Sequence, residues 1–87
     1  MKTASHVRAN VTDDGVVLLD VEKGAIYSSN VVGARIWQLI QEGRSESDVV
    51  SCIVDEFGAQ RSTVEADVRE FIASLSERAL VMPVART

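Results

Sequence analysis

At 87 residues the chain has room for one domain with a small core, so a single domain spanning 1–87 is expected. Its 46% hydrophobic and 25% charged residues, with five Gly and one Pro, exclude the disordered, collagenous and low-complexity classes. The formal net charge of −4 is uneven: Ser45–Arg78 holds eight acids against Arg61, Arg69 and Arg78, which disfavours a nucleic-acid partner and suits a cationic one.

His6–Thr12 alternates in polarity and predicts a strand with one wet face. Asp13-Asp14-Gly15 is a hairpin signal, because Asp and Gly tolerate the backbone of tight β-turns. Val16–Asp20 follows as a β-rich strand, apolar on both faces for most of its length, and is expected at the centre. Val21-Glu22-Lys23-Gly24 turns the chain again, and Ala25–Ser28 is a short third strand. Two successive hairpins give an antiparallel three-stranded meander whose first and third strands are edges.

The period then changes. Ser29 and Asn30 are both good N-caps, and Val32, Ile36, Leu39 and Ile40 recur at helical spacing up to a stop at Gly43. Ser45-Glu46-Ser47-Asp48 caps a second helix with Val49, Val50, Ile53, Val54 and Phe57 inward and Gly58 ending it. Ser62-Thr63-Val64-Glu65 has the form of a capping box. Val64, Val68, Phe71, Ile72 and Leu75 then make one apolar stripe on a third helix. Leu80–Met82 is a short apolar tail that Pro83 should keep out of a ladder. Three strands followed by three helices make an α+β unit of winged-helix-like shape.

Catalytic constellations are missing. The chain has no G-x-S-x-G, Gly-rich phosphate loop, H-E-x-x-H or C-x-x-C. One Cys and one His exclude an intramolecular disulfide and a Cys/His metal cage, so neither metal nor cofactor is expected. Cys52 reads as a small packed hydrophobe, His6 as a solvent-facing strand residue, and Trp37 as core. Acids at helix starts are ordinary macrodipole partners. Arg35, Gln38, Glu42 and Arg44 read as solvated surface. No apolar run is long enough to cross a membrane, Met1–His6 lacks a signal-like apolar stretch, and a reducing cytoplasm is the expected location. Ala25–Ser28 is unusual in another way: it is uncharged and has no Pro or Lys to blunt its edge, as edges normally do.

Val17-Leu18-Leu19-Asp20, then Gly24-Ala25-Ile26-Tyr27, Asn30, and Gly33-Ala34-Arg35-Ile36-Trp37 stand in a familiar order. With Asp67-Val68-Arg69-Glu70-Phe71-Ile72-Ala73-Ser74-Leu75 they resemble the PqqD-like family. Its members are the pyrroloquinoline-quinone peptide chaperone and leader-recognition proteins of ribosomally made peptides, including lasso peptides. The likeness covers about residues 6 to 82; Ser28 departs from it, standing where the family usually has Leu. The resemblance implies a binding module that takes a precursor's leader peptide as an added strand and hands it to a separate maturation enzyme, either a leader peptidase or a radical enzyme. It implies a site on Ala25, Ile26, Tyr27 and Ser28 of the third strand and on Val64, Val68, Phe71 and Ile72 of the third helix. Asp67 and Glu70 would form an acidic rim. No nucleic acid, membrane, metal or cofactor partner is expected.

Two other classes compete. A winged-helix DNA-binding regulator would need a basic recognition helix, whereas the third helix carries Glu65, Asp67, Glu70 and Glu77. A small homodimer would pair the open edge with its own copy.

Overall fold

A computed structural model describes residues 2–82. The elements are β1 (Lys2–Thr3), β2 (Val7–Thr12), β3 (Gly15–Asp20), β4 (Ala25–Ser29), α1 (Val31–Gln41), α2 (Glu46–Phe57), α3 (Arg61–Glu77) and β5 (Val81–Met82). The α+β class and the order of strands and helices are as the sequence predicts, and the sheet order β2-β3-β4 is that of an antiparallel meander.

The first hairpin closes on the Thr12↔Gly15 pair, with Asp13 and Asp14 as its loop. Gly15 sits at φ 151°, and a side chain there would run into the carbonyl oxygen of Ser29, so this corner admits only glycine. The second turn is built on Asp20. Its Oδ1 accepts the backbone N–H groups of Glu22 and Lys23, each at 3.0 Å, while its carbonyl accepts that of Gly24 at 2.8 Å.

Register decides which side chains meet the helices. Val16, Leu18 and Asp20 of β3 are buried against them, and Tyr27 and Ser29 of β4 share that face as the partners of Leu18 and Val16. Val17 and Leu19 point the other way and are 42% and 38% exposed. The strand is central in the sheet, as expected, and α1 packs against its buried face.

Asn30 caps α1 through its side chain, which accepts the Gly33 N–H at 3.0 Å, and Ser45 caps α2 by accepting that of Asp48 at 3.1 Å. Gly58 ends α2 in the left-handed conformation. Phe57, expected inward, is exposed, because the buried stripe of α2 ends at Ile53, one turn before the chain reverses. The expected capping box does not form. The helix starts at Arg61, one residue before Ser62, with Gln60 as an N-cap that makes no side-chain bond. The Gln60 carbonyl takes the Val64 N–H, and Arg61 instead donates to Ser51 Oγ at 2.8 Å, tying α3 to α2.

The core gathers Leu18, Ile36, Trp37, Leu39, Ile40, Ile53 and Leu75, with Cys52 half-buried at its margin. Arg35 clamps α1 to α2 through a bidentate pair with Glu56 at 2.8 and 2.9 Å. The tail also differs from expectation: Val81 and Met82 do enter a ladder, pairing with Thr3 and Lys2. Pro83, the expected breaker, lies outside the described residues. No helix among the described residues is long and apolar enough to cross a membrane.

Candidate functional site

β4 pairs with β3 on one side only, leaving its other edge open toward α3. Side chains span the gap between them. The rings of Tyr27 and Phe71 meet at a centroid distance of 6.1 Å, tilted by 50°. The Arg78 guanidinium lies over the other part of this bridge, 4.8 Å from the Tyr27 ring centre.

A recess opens on each side of this aromatic bridge. One, of about 230 Å³, is lined by Ala25, Ile26, Tyr27, Leu80 and Arg78, with Asp20, Lys23 and Glu77 at its rim. The other, of about 280 Å³, lies between Ser29, Asn30, Val32, Gly33 and Ile36 on one wall and Asp67 and Phe71 on the other. Gly33 is required there, since a side chain at this position would strike Ser29 Oγ and come within 3.2 Å of the Phe71 ring. A third hollow of about 220 Å³, lined by Glu46, Ser47, Arg61, Glu65 and Arg69, is polar and lies between α2 and α3, away from the strand edge.

The structure sorts the residues singled out in the sequence. Tyr27 and Phe71 meet in the gap, and Asp67 lines one recess. Val64 and Val68 are fully buried and support α3 from beneath, while Ile72 is half-buried against the core. Glu70 is exposed and lines neither recess. Ile26 and Ser28 alternate with Tyr27, so their side chains stand on the uncovered face of the sheet. Arg78, Leu80 and Gly33 were not singled out as site residues. Arg78 and Leu80 follow the end of α3, where helical periodicity no longer reports which way a side chain points.

His6, expected to face solvent, is half-buried beside the second turn. Its Nε2 is 3.6 Å from Asp20 Oδ2 and its Nδ1 is 3.9 Å from Glu22 Oε1. The two carboxylates flank opposite ring nitrogens, and one ligand atom from each of His6, Asp20 and Glu22 lies within 4.8 Å of the others. Hydrogen bonding from the Lys23 N–H chiefly, and from the Glu22 N–H, holds the Asp20 carboxyl below the usual carboxylate range against the opposing effect of burial. The positive charges of His6 and Lys23 act in the same direction.

This geometry, an uncharged strand edge beside an aromatic-bridged groove, suits capture of an extended peptide. Two solved structures share the fold across nearly their whole length. TbiB1, in complex with the TbiA(β) leader peptide, is 36% identical, with a TM-score of 0.88 over 99% of this chain and 100% of that one. A lasso peptide synthetase B1 complexed with its leader peptide is 29% identical, with a TM-score of 0.83 over 94% of this chain and 96% of that one. Comparison with curated proteins finds no match. The family described as coenzyme PQQ synthesis protein D matches residues 15–81, and the chain belongs to this PqqD family of small α+β proteins.

Proposed function

We propose that this chain is a cytoplasmic, non-catalytic, single-domain recognition module. It binds the leader segment of a ribosomally made precursor peptide and delivers the precursor to a separate maturation enzyme. The leader adds as a strand to the free edge of β4, with alternate side chains entering the recesses on either side of Tyr27 and Phe71. The observation that carries this reading is the undefended β4 edge facing the aromatic bridge of α3. The likeness to two leader-peptide complexes, one of a lasso peptide synthetase B1, supports it, and on our reading the enzyme served is the leader peptidase of a lasso-peptide pathway.

Main-chain bonds alone make a weak complex. β4 has five residues, and each hydrogen bond to an added strand contributes about 0.5–1.5 kcal/mol net. Ordering a disordered peptide costs about 2–5 kcal/mol. Apolar leader side chains filling the recesses, at about 1.5–3 kcal/mol each, supply the remainder. Asp67 adds an acidic rim that favours a Lys or Arg on the leader.

The test uses a fluorescein-labelled leader from the precursor encoded beside the gene, with the TbiA(β) leader as a second probe. Anisotropy should report saturable binding of the leader and none of the leaderless core peptide. Mass spectrometry should find the precursor unchanged by this protein alone, and Cys52→Ala should stimulate the partner enzyme as well as the parent protein. Equal binding of the leaderless peptide would remove the recognition reading. A mass change that disappears in Cys52→Ala would remove the non-catalytic one.

A further inference from the structure

The uncovered face of the sheet is apolar where it adjoins the proposed binding edge. Ile26 is 71% exposed, the largest exposure among the exposed large hydrophobics, and it stands directly opposite Leu19, which is 38% exposed. Val17 lies two residues along β3, 42% exposed, opposite the small Ser28. Farther across, the same face turns polar with Arg8 and Asn10, the partners of Leu19 and Val17 on β2. The apolar patch is thus off-centre, displaced toward the free edge of β4. A patch that served only to stiffen the sheet would have no reason to end on an unpaired strand, where one flank of Ile26 has no neighbour.

An added strand supplies that neighbour. Side chains alternate across a sheet, so a peptide hydrogen-bonded to β4 shows one set of residues to the α3 groove and the other to the open face. In either strand direction, the residue opposite Ile26 lands beside it on the open face, within cross-strand contact. We infer that the open face is a second specificity site for the leader. There Ile26, backed by Leu19 and Val17, takes an aliphatic or aromatic leader side chain from the set that does not enter the groove. This rests on strand addition at β4 and extends it: the leader is read on both faces at once, with a period of two.

The experiment combines protein variants with an alanine scan of the labelled leader. Ile26→Ser removes the open-face contact but keeps the backbone N–H, and an exposed position lets the fold survive. It should weaken binding about three- to tenfold. One apolar leader position should lose its sensitivity to alanine in Ile26→Ser while keeping it in Phe71→Ala, and the positions immediately before and after it should show the reverse. Leaders N-methylated at single backbone amides report edge pairing without altering the protein. Sensitivity to N-methylation with unchanged binding by Ile26→Ser would overturn the open-face site and leave strand addition standing. Indifference to both would overturn strand addition as well.

Discussion

The two edges of the sheet are guarded in opposite ways. β2 runs along one edge with Arg8, Asn10 and Thr12 on its outer face and leads into the acidic Asp13-Asp14 loop, so its free side is ringed by charge and polarity. β4 runs along the other with no charge from Ala25 to Ser29, an exposed Ile26, and an aromatic bridge to α3 beside it. Charge on an edge is the usual protection against unwanted pairing. The contrast teaches that one edge of this small sheet is flanked by charged and polar groups while the edge proposed for the leader is left bare.

The largest effect should come from proline. Ile26→Pro removes a backbone N–H and fixes φ in the middle of β4. Leader binding should fall at least about tenfold in a variant whose circular dichroism remains native. Asn10→Pro, on β2, should leave binding within about twofold if it folds. Equal losses from the two would erase the distinction between the edges.

Next comes the aromatic bridge. Phe71→Ala takes away the partner of the Tyr27 ring and merges the two recesses. Calorimetry should show binding weakened about five- to tenfold, with stability lower by about 1–3 kcal/mol, below the full cost of truncating a wholly buried Phe because this one is half-buried.

A finer effect separates two acids that sequence reasoning placed together. Asp67→Lys should weaken binding about two- to fivefold and reduce its salt dependence, the size expected of an exposed rim pair. Glu70→Lys should do nothing to affinity, since Glu70 lines neither recess. Tighter binding by Asp67→Lys would show that the rim meets leader acids.

Acid should act on the turn that anchors β4. Asp20 has a depressed folded-state pKa, so its contribution to stability is present above its unfolded value of about 3.9 and is lost as pH falls through the folded one. Glu56, held down chiefly by its hydrogen bond with Arg35, has the same sign. Thermal melts should therefore be flat from about pH 7 to 5 and fall below about pH 4, and Asp20→Asn should flatten that acid limb.

The smallest effect lies in the backbone between Arg78 and Leu80. Ala79 ends α3 at φ 56°, in the left-handed region that costs a residue with a Cβ. Ala79→Gly should stabilise the fold by about 0.5–1 kcal/mol and leave leader affinity unchanged.

Much of this molecule was legible because its signals are local. The Asp-Asp-Gly and Val21–Gly24 turns, the Asn30 and Ser45 caps and the Gly58 stop each act within four residues, so the sequence predicts the meander and three helices. What it missed depends on distant partners. Ile26 and Tyr27 look equivalent in a four-residue strand, and only register against Leu19 and Leu18 separates them. His6 looks like any polar strand residue until the second turn brings Asp20 and Glu22 around it. Ser62–Glu65 has the letters of a capping box, but Arg61 is drawn to Ser51 and the helix begins earlier. The groove residues Tyr27, Phe71 and Asp67 came from a family resemblance. Periodicity alone put Val64 and Val68 on the same stripe and could not tell a supporting residue from one that borders the gap.

The pairing of β1 with β5 has an architectural consequence. Lys2 and Met82, the first and last described residues, stand directly opposite each other, about 5 Å apart. A segment cut at two such adjoining points, Lys2–Met82, can be spliced into a surface loop of a host protein as a cassette, much as naturally inserted domains are. The β4 edge lies in a different sheet from this doorway and would remain free to work after such a transplant. Grafted into an enzyme that modifies peptides, the module is expected to carry the proposed leader recognition with it.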